Sequence, residues 1–459
     1  MEKKAEKKHI LSKLILSAGF GAAATAVFVW YVTQNRASYK PTDFIVPFIT
    51  LALFTAVLVL AVPKIIRLFT GAEEFPAAEK KKPYLTLIVI ILAALAVHFA
   101  AMLIGVLIYS RLQGGMSFAK AFRQAWMKSN TDAGHYINIA ENWYQKEGHD
   151  NLLIVFFPML PVMIRLFNLV TKDSFVSALI INAVSTSLAS GLCYLTLRGV
   201  LGQKRAVVSA FIAILLPGAI FMNSPMSEPL FLLFTLAAFL LMQNKRYVWA
   251  GVFVALSGFT RSLGVLSAIP LALTGLNQII GLIRAKKKWG ETAILLFVGL
   301  LLSTLGTLAY LLINAVIHGN PFQFFEYQWS NWHQKACPFF DTTRYIFSYA
   351  GNYLKSDMNG FVSLWLPQII AIFGVLALML WGARKLPASY TVYFLLYFAV
   401  SVGCTWLLSS VRYLSAGIPV IAALGYACDK RWKSVVMIAV LIVVYMLYMY
   451  MYMKRMGIY

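Results

Sequence analysis

Long, nearly uninterrupted apolar runs constrain this chain more than any other feature of its sequence. Tyr84 to Tyr109 and Val362 to Trp381 are two of them. About 20 apolar residues, rising 1.5 Å each, cross the roughly 30 Å of hydrocarbon in a bilayer, and a helix satisfies all its backbone polar groups internally. Composition agrees: 60% of the 459 residues are hydrophobic and 12% are charged, about half the charged share of an ordinary soluble domain. The chain reads as an all-α polytopic membrane protein.

The charge balance excludes several function classes. Forty Lys and Arg stand against 17 Asp and Glu, a net charge of +23, yet the basic residues form no single soluble patch of the kind a nucleic acid requires. They sit in short clusters between apolar runs, as orientation signals do. The six His and four Cys show no metal-ligand spacing, so neither a thiolate zinc site nor a disulfide framework is expected.

The apolar pattern predicts a first helix over Ile10 to Val32 behind the basic start Lys3, Lys4, Lys7 and Lys8. It is too long, and too aromatic at its end, for a cleaved signal peptide. A return span over Ile45 to Val62 leads to an inner-face linker holding Pro76, Glu73, Glu74 and Lys80 to Lys82. A third span, Leu85 to Tyr109, goes out again. Residues 110 to 172 then form a long outer loop with an amphipathic piece, Phe118 to Met127, and a short interfacial or partly inserted helix over Leu152 to Leu169, broken by Pro158 and Pro161. Further spans are expected over Phe175 to Leu197, Val207 to Phe221 and Pro229 to Met242. Tyr247 to Ile283 should be two short crossings meeting near Arg261, because Arg in hydrocarbon is costly unless it faces protein or water. The path ends with Ile294 to Val316, a second outer loop from Asn320 to Gly360, and spans over Phe361 to Leu380, Tyr390 to Leu408, Leu414 to Ala427 and Val435 to Tyr452. That makes 13 crossings, with most of the basic excess inside.

On this path five separated segments bring polar groups to one outer membrane level. They are Asp132, His135 and Tyr136; Asn223, Ser227 and Glu228; Thr260, Arg261 and Ser262; Trp329, Trp332, His333 and Lys335; and Ser410, Arg412 and Tyr413. Each has a structural alternative. Asp132 is placed to cap a helix beginning at Ala133, and Glu228 to favour a helix dipole. The tryptophans suit an interfacial belt, and Arg412 suits a helix-end anchor.

Several of these segments resemble motifs of the PIG-V-like mannosyltransferases. Thr131-Asp132-Ala133-Gly134-His135-Tyr136-Ile137-Asn138-Ile139-Ala140 resembles the family's Trp-Asp-x-x-x-Tyr-x-x-Ile-Ala segment, with Thr131 in place of Trp. Phe156-Phe157-Pro158-Met159-Leu160-Pro161, followed by Arg165, is similar to its Phe-Phe-Pro-Leu-x-Pro segment. Ser227-Glu228-Pro229-Leu230-Phe231 is similar to its Ser-Glu-x-x-Phe turn, Thr260-Arg261-Ser262-x-Gly264 to its Thr-Arg-Ser-x-Gly segment, and Arg412-Tyr413 to its late Arg-Tyr motif. The resemblance covers residues 85 to 430. It leaves 1–84 as an added two-helix region with a linker and 431–459 as a C-terminal transmembrane helix. It implies the GT-C-type fold of lipid-donor glycosyltransferases, with a catalytic acid in a large first outer loop, and mannose as the sugar.

Transfer from a polyprenyl-phosphate sugar needs a base for the acceptor hydroxyl, cations for the departing phosphate and an apolar groove for the lipid. Asp132 is the candidate base, with inversion by direct displacement. Arg261 and Arg412 are the leading phosphate partners, with Arg165 and Lys335 behind them. Glu228 orients the acceptor or holds an Arg, and His135, Tyr136, Trp329, Trp332, His333 and Tyr413 line the sugar or acceptor surface. The absence of a Gly-rich nucleotide loop favours a lipid-phosphate donor. No protein metal site is assigned, although Asp132 and Glu228 leave room for a divalent cation. The expected partners are the donor, a glycolipid or glycan acceptor and membrane lipids, with no nucleic acid. The expected place is a bacterial cytoplasmic membrane with the site on its outer face. The alternatives are a transporter or flippase of a lipid-linked solute and a non-catalytic partner subunit.

Overall fold

A computed structural model describes residues 2–35, 39, 41–69, 83–127 and 131–459. The inner-face linker expected around Pro76 lies outside them. The chain enters through α1 (Glu2–Gln34) and α2 (Ile45–Phe69), then α3 (Tyr84–Leu112) and the short amphipathic α4 (Phe118–Trp126). The first large loop carries α5 (Ala133–Asn142) and α6 (Met159–Thr171). Next come α7 (Ser174–Leu201), α8 (Gln203–Leu215), α9 (Glu228–Gln243), α10 (Tyr247–Thr260), α11 (Ala268–Arg284) and α12 (Gly290–His318). The second loop holds α13 (Gln323–Trp332), α14 (Phe339–Ser356) and the turn α15 (Met358–Gly360). A π-helical turn, Phe361–Trp365, leads into α16 (Leu366–Gly382), and α17 (Ala388–Val402), α18 (Ser410–Ser415), α19 (Ile418–Ala427) and α20 (Arg431–Met453) complete the chain.

Among the described residues, seven helices are long and apolar enough to cross a membrane, and up to nine if each of two bent pairs is one span. Five expected crossings remain: that over Ile10 to Val32 lies in α1, which is not among these helices, and four fall on short apolar helices, with α9, α10, α17 and α19 having 16, 14, 15 and 10 residues. At 1.5 Å per residue each is shorter than the hydrocarbon core. The expected 13 crossings are therefore not present as 13 full-length helices. The prolines explain one bend: the His149–Val155 turn and α6 meet at 109° around Pro158. One expected span ends early and another is broken. α17 stops at Val402 because Gly403 leaves the helix and its carbonyl accepts Cys337 N–H at 3.1 Å. The Leu414 to Ala427 span is broken into α18 and α19 at Gly417.

The division of 247 to 283 is present as a break, with extended backbone at Arg261 (φ −155°, ψ 147°) between α10 and a 3-10 turn over Ser262–Ser267. Gly264 permits the fold-back, since a Cβ there would lie 2.2 Å from the Ser257 carbonyl carbon. The added N-terminal helices pack into the rest of the bundle. Thr50 and Thr343 hydroxyls lie 2.9 Å apart, and the Tyr39 hydroxyl donates to Asp341 at 2.6 Å.

The closest helix pair is α10 with α12. A Cβ on Gly306 would sit 1.8 Å from the Ala255 carbonyl oxygen, and one on Gly251 would sit 1.9 Å from that of Gly299. Small residues let two backbones touch in a membrane, where dispersion and not water drives association. Gly306→Ala is expected to destabilise the protein by about 1–3 kcal/mol through overpacking. Gly374→Ala, at a helical glycine with open space around it, should stay within about 0.5 kcal/mol of the wild type. Thermal unfolding in detergent compares the two; equal effects would mean that the helices are not in backbone contact.

Candidate active site

The starts of α5 and α9, the break after α10 and the short α18 build a charged cluster in an apolar interior. α9 begins at Ser227-Glu228-Pro229, with proline in the first turn, where its missing N–H costs nothing. The preceding turn is held by Asn182 of α7, whose amide donates to the Ser224 and Met226 carbonyls. Arg261 enters from the α10 break and Arg412 from α18. Asp132 stands immediately before α5.

Glu228 is the centre of the cluster and is only 2% exposed. Arg261 pairs with its Oε1 and also donates to Ser227 Oγ at 3.1 Å. Arg412 Nε lies 3.0 Å from the same carboxylate oxygen, off the alignment of a hydrogen bond, and Arg412 Nη2 lies 2.9 Å from Asp132 Oδ2. Arg412 is 5% exposed and Asp132 is 28% exposed. One guanidinium therefore links a buried acid to an accessible one. Among the described residues Glu228 Oε2 has no hydrogen-bond partner, leaving a buried acceptor within the cluster.

The capping alternative for Asp132 is not what the geometry records. Asp132 occupies the N-cap position, but its side chain makes no capping bond and turns to Arg412 instead. Glu228 does stand in the first turn of α9, so it gains from the dipole as well as from its two arginines.

Aromatic rings frame the charges. The Tyr413 ring lies 5.0 Å from the Arg261 guanidinium and 5.2 Å from that of Arg412, which also lies 5.4 Å from Phe221. The Tyr136 hydroxyl is 3.0 Å from Ser227 Oγ, joining α5 to the start of α9. Beside Asp132, His135 stacks on Phe156 at 4.9 Å, and Trp332 meets Phe156 edge-on at 5.7 Å. Burial biases His135 toward its neutral form, against the opposing pull of the Asp132 and Asp150 charges.

Other expected site residues stand apart. Arg165 lies against the C-terminal end of α5, where Nε donates to the Ala140 carbonyl at 2.6 Å and the guanidinium covers Trp143. The ten-residue helix puts it about 15 Å from the Asp132 end. Lys335 covers the exposed Trp329 at 3.7 Å, and His333 ends α13 with left-handed backbone at φ 54°. Trp329, His333 and Lys335 thus form a second group, around the end of α13. Sequence reading passed over Phe156 and Phe221 as site residues, because an aromatic within an apolar run carries no mark of what it faces. Among the described residues, no group of three or more His, Cys, Asp or Glu comes together as a metal site would require.

The arrangement offers an accessible carboxylate, two guanidinium groups and an aromatic wall at one place. Replacing Glu228 by Gln removes the shared counter-charge of Arg261 and Arg412. It is expected to cost about 3–5 kcal/mol, as breaking a buried pair does. Arg123→Gln, at the half-exposed pair with Asp173, should cost at most about 1 kcal/mol. Unfolding temperatures of the two variants in detergent decide whether the cluster is a structural keystone.

A family model described as mannosyltransferase (PIG-V) matches residues 84–453. Two solved oligosaccharyltransferase structures from Archaeoglobus fulgidus are similar in part. One, tethered to an acceptor peptide containing the NVT sequon, has a TM-score of 0.40 at 12% identity, covering 79% of this chain and 55% of that one. The other, AglB in complex with an inhibitory peptide and a dolichol-phosphate, has a TM-score of 0.35 at 13% identity, covering 78% and 55%. The chain thus spans about half the length of these structures. No curated protein matches it. With four fifths of its length, including every residue of the charged cluster, inside the family match, the chain belongs to the PIG-V mannosyltransferase family.

Proposed function

We propose that this GT-C-type membrane glycosyltransferase moves mannose from a polyprenyl-phosphate donor to a hydroxyl of a lipid or glycan acceptor, with inversion, on the non-cytoplasmic face of a bacterial cytoplasmic membrane. Residues 85–430 carry the reaction, residues 1–84 are an addition to that core and 431–459 form a C-terminal transmembrane helix. The observation that supports this reading best is the difference between the two acids. Asp132 is open enough to meet an acceptor hydroxyl, whereas Glu228 is buried between two arginines.

The division of labour follows from that difference. Asp132 takes the acceptor proton as the acceptor oxygen bonds to the anomeric carbon. The bond from that carbon to the phosphate oxygen breaks, and polyprenyl phosphate leaves with the electron pair. Arg412 and Arg261 receive the growing phosphate charge, since guanidinium pairs with phosphate oxygens through two parallel hydrogen bonds. Glu228 fixes both guanidinium groups in place, and its unpaired Oε2 accepts from a sugar or acceptor hydroxyl. His135, Phe156 and Trp332 form the face against which a sugar ring stacks.

Arg412 Nη2 lies 2.9 Å from Asp132 Oδ2, so the guanidinium shares its charge with that carboxylate. A bound phosphate competes for that guanidinium and frees the carboxylate to act as base. Donor binding thereby prepares the base.

Asp132→Asn is expected to lower transfer from polyprenyl-phosphate mannose by about 10²–10⁴-fold, the usual worth of a general base, with donor binding retained. The assay uses purified protein in lipid with a membrane-lipid extract as acceptor, followed by mass spectrometry of the mannosylated product. A variant that keeps wild-type turnover would remove Asp132 from the mechanism. A wild-type protein that binds no donor would remove the polyprenyl-phosphate mannose assignment.

A further inference from the structure

The far end of the bundle holds a second cluster of cations, and it lies at the seam between the N-terminal addition and the family core. Its position follows from α16. Gln368, at the start of that helix, meets Ser410 Oγ at 3.2 Å, two residues from Arg412. Arg384 follows the other end of α16, whose 17 residues span about 25 Å. The charged cluster and Arg384 are therefore separated by most of the thickness of a hydrocarbon core.

Beside Arg384 is a cavity of about 510 Å³. α2 supplies Lys64 and Arg67 together with the apolar wall of Val59, Val62 and Pro63, and Ser17 of α1 closes one side. Lys64 Nζ donates to the Leu386 carbonyl at 2.6 Å, which fixes the ammonium at the rim. Among the described residues that line the cavity three are cationic and none is acidic. Arg67 and Arg384 are both exposed.

We propose that this cavity binds the headgroup of an anionic glycerophospholipid. Two guanidinium groups and an ammonium match a phosphodiester, with the bidentate geometry that Arg offers to phosphate oxygens. The apolar wall of α2 continues from the cationic rim toward the hydrocarbon, as an acyl chain requires. Basic pockets between transmembrane helices take such headgroups elsewhere. In the orientation proposed above this is the cytoplasmic leaflet. The binding assignment is independent of that orientation and of the glycosyl-transfer reading. α1 and α2 precede the family match, which begins at residue 84, so the site exists only where the addition meets the core.

The test uses the full chain in nanodiscs of phosphatidylcholine with a minor fraction of phosphatidylglycerol, and counts retained lipids by native mass spectrometry after release into detergent. The wild type should retain phosphatidylglycerol over phosphatidylcholine. Arg384→Gln should reduce that retention about fivefold, the worth of one cation at a membrane surface. The triple variant Lys64→Gln, Arg67→Gln, Arg384→Gln should abolish it, while Lys288→Gln, in the exposed basic turn after α11, should leave it unchanged. Because Arg384 is exposed and follows a helix end, its single variant keeps the assay interpretable even if the triple variant fails to fold. Equal retention of the two lipids by the wild type, or an undiminished preference in Arg384→Gln, overturns the proposal. Thermal stabilisation by inorganic phosphate alone, equal to that given by phosphatidylglycerol and without retained lipid, overturns the lipid as its source.

Discussion

A carboxylate with almost no access to water is held between two guanidinium groups, and much of the architecture follows from that arrangement. Burying Glu228 or Arg412 without the other would carry a desolvation cost of several kcal/mol. They are tolerable only together, so the chain must deliver them to one point. That requirement accounts for features that would otherwise look like defects. α10 and α11 are divided at Arg261, α18 is a single short helix ending before Gly417, and α9 is too short to cross the membrane.

The same cluster explains how one site can contain two acids with different duties. Both touch Arg412, but only Asp132 keeps appreciable exposure. Burial commits Glu228 to holding its arginines, whereas partial exposure leaves Asp132 able to exchange partners. In the proposed mechanism one guanidinium bridges a fixed and an exchangeable acid, so the arrival of an anion is passed to the exchangeable one by a change of partner at Arg412.

Much of the framework was legible in the sequence, because hydrophobic run length is a direct consequence of membrane thickness. α3, α7, α12 and α20 lie close to their expected ranges, and the interruption at Arg261 was legible from two glycines around a charge. The charged members of the site were legible for the related reason that polar residues are conspicuous in apolar surroundings. The aromatic wall was legible only in part: Tyr136, Trp332 and Tyr413 were expected at the site, whereas Phe156 and Phe221 look the same whether they face lipid, core or cavity. The place of Arg165 was not legible, since its engagement with the end of α5 depends on the fold of the first loop. The early end of α17 depends on pairing between Gly403 and Cys337, a contact between distant segments that no local pattern encodes.

The order of the site residues along the chain carries a consequence for biogenesis. Asp132, Glu228 and Arg261 are synthesised well before Arg412, which follows Arg261 by about 150 residues. Until α18 has been made, Glu228 has only Arg261 of its two arginines, and Asp132 lacks its partner Arg412. At that stage α9 and the divided α10–α11 segment hold Glu228 with one of its two arginines still to come. The last helices close a charge balance that the earlier ones leave open, so a chain truncated before α18 would be unfinished electrostatically as well as structurally.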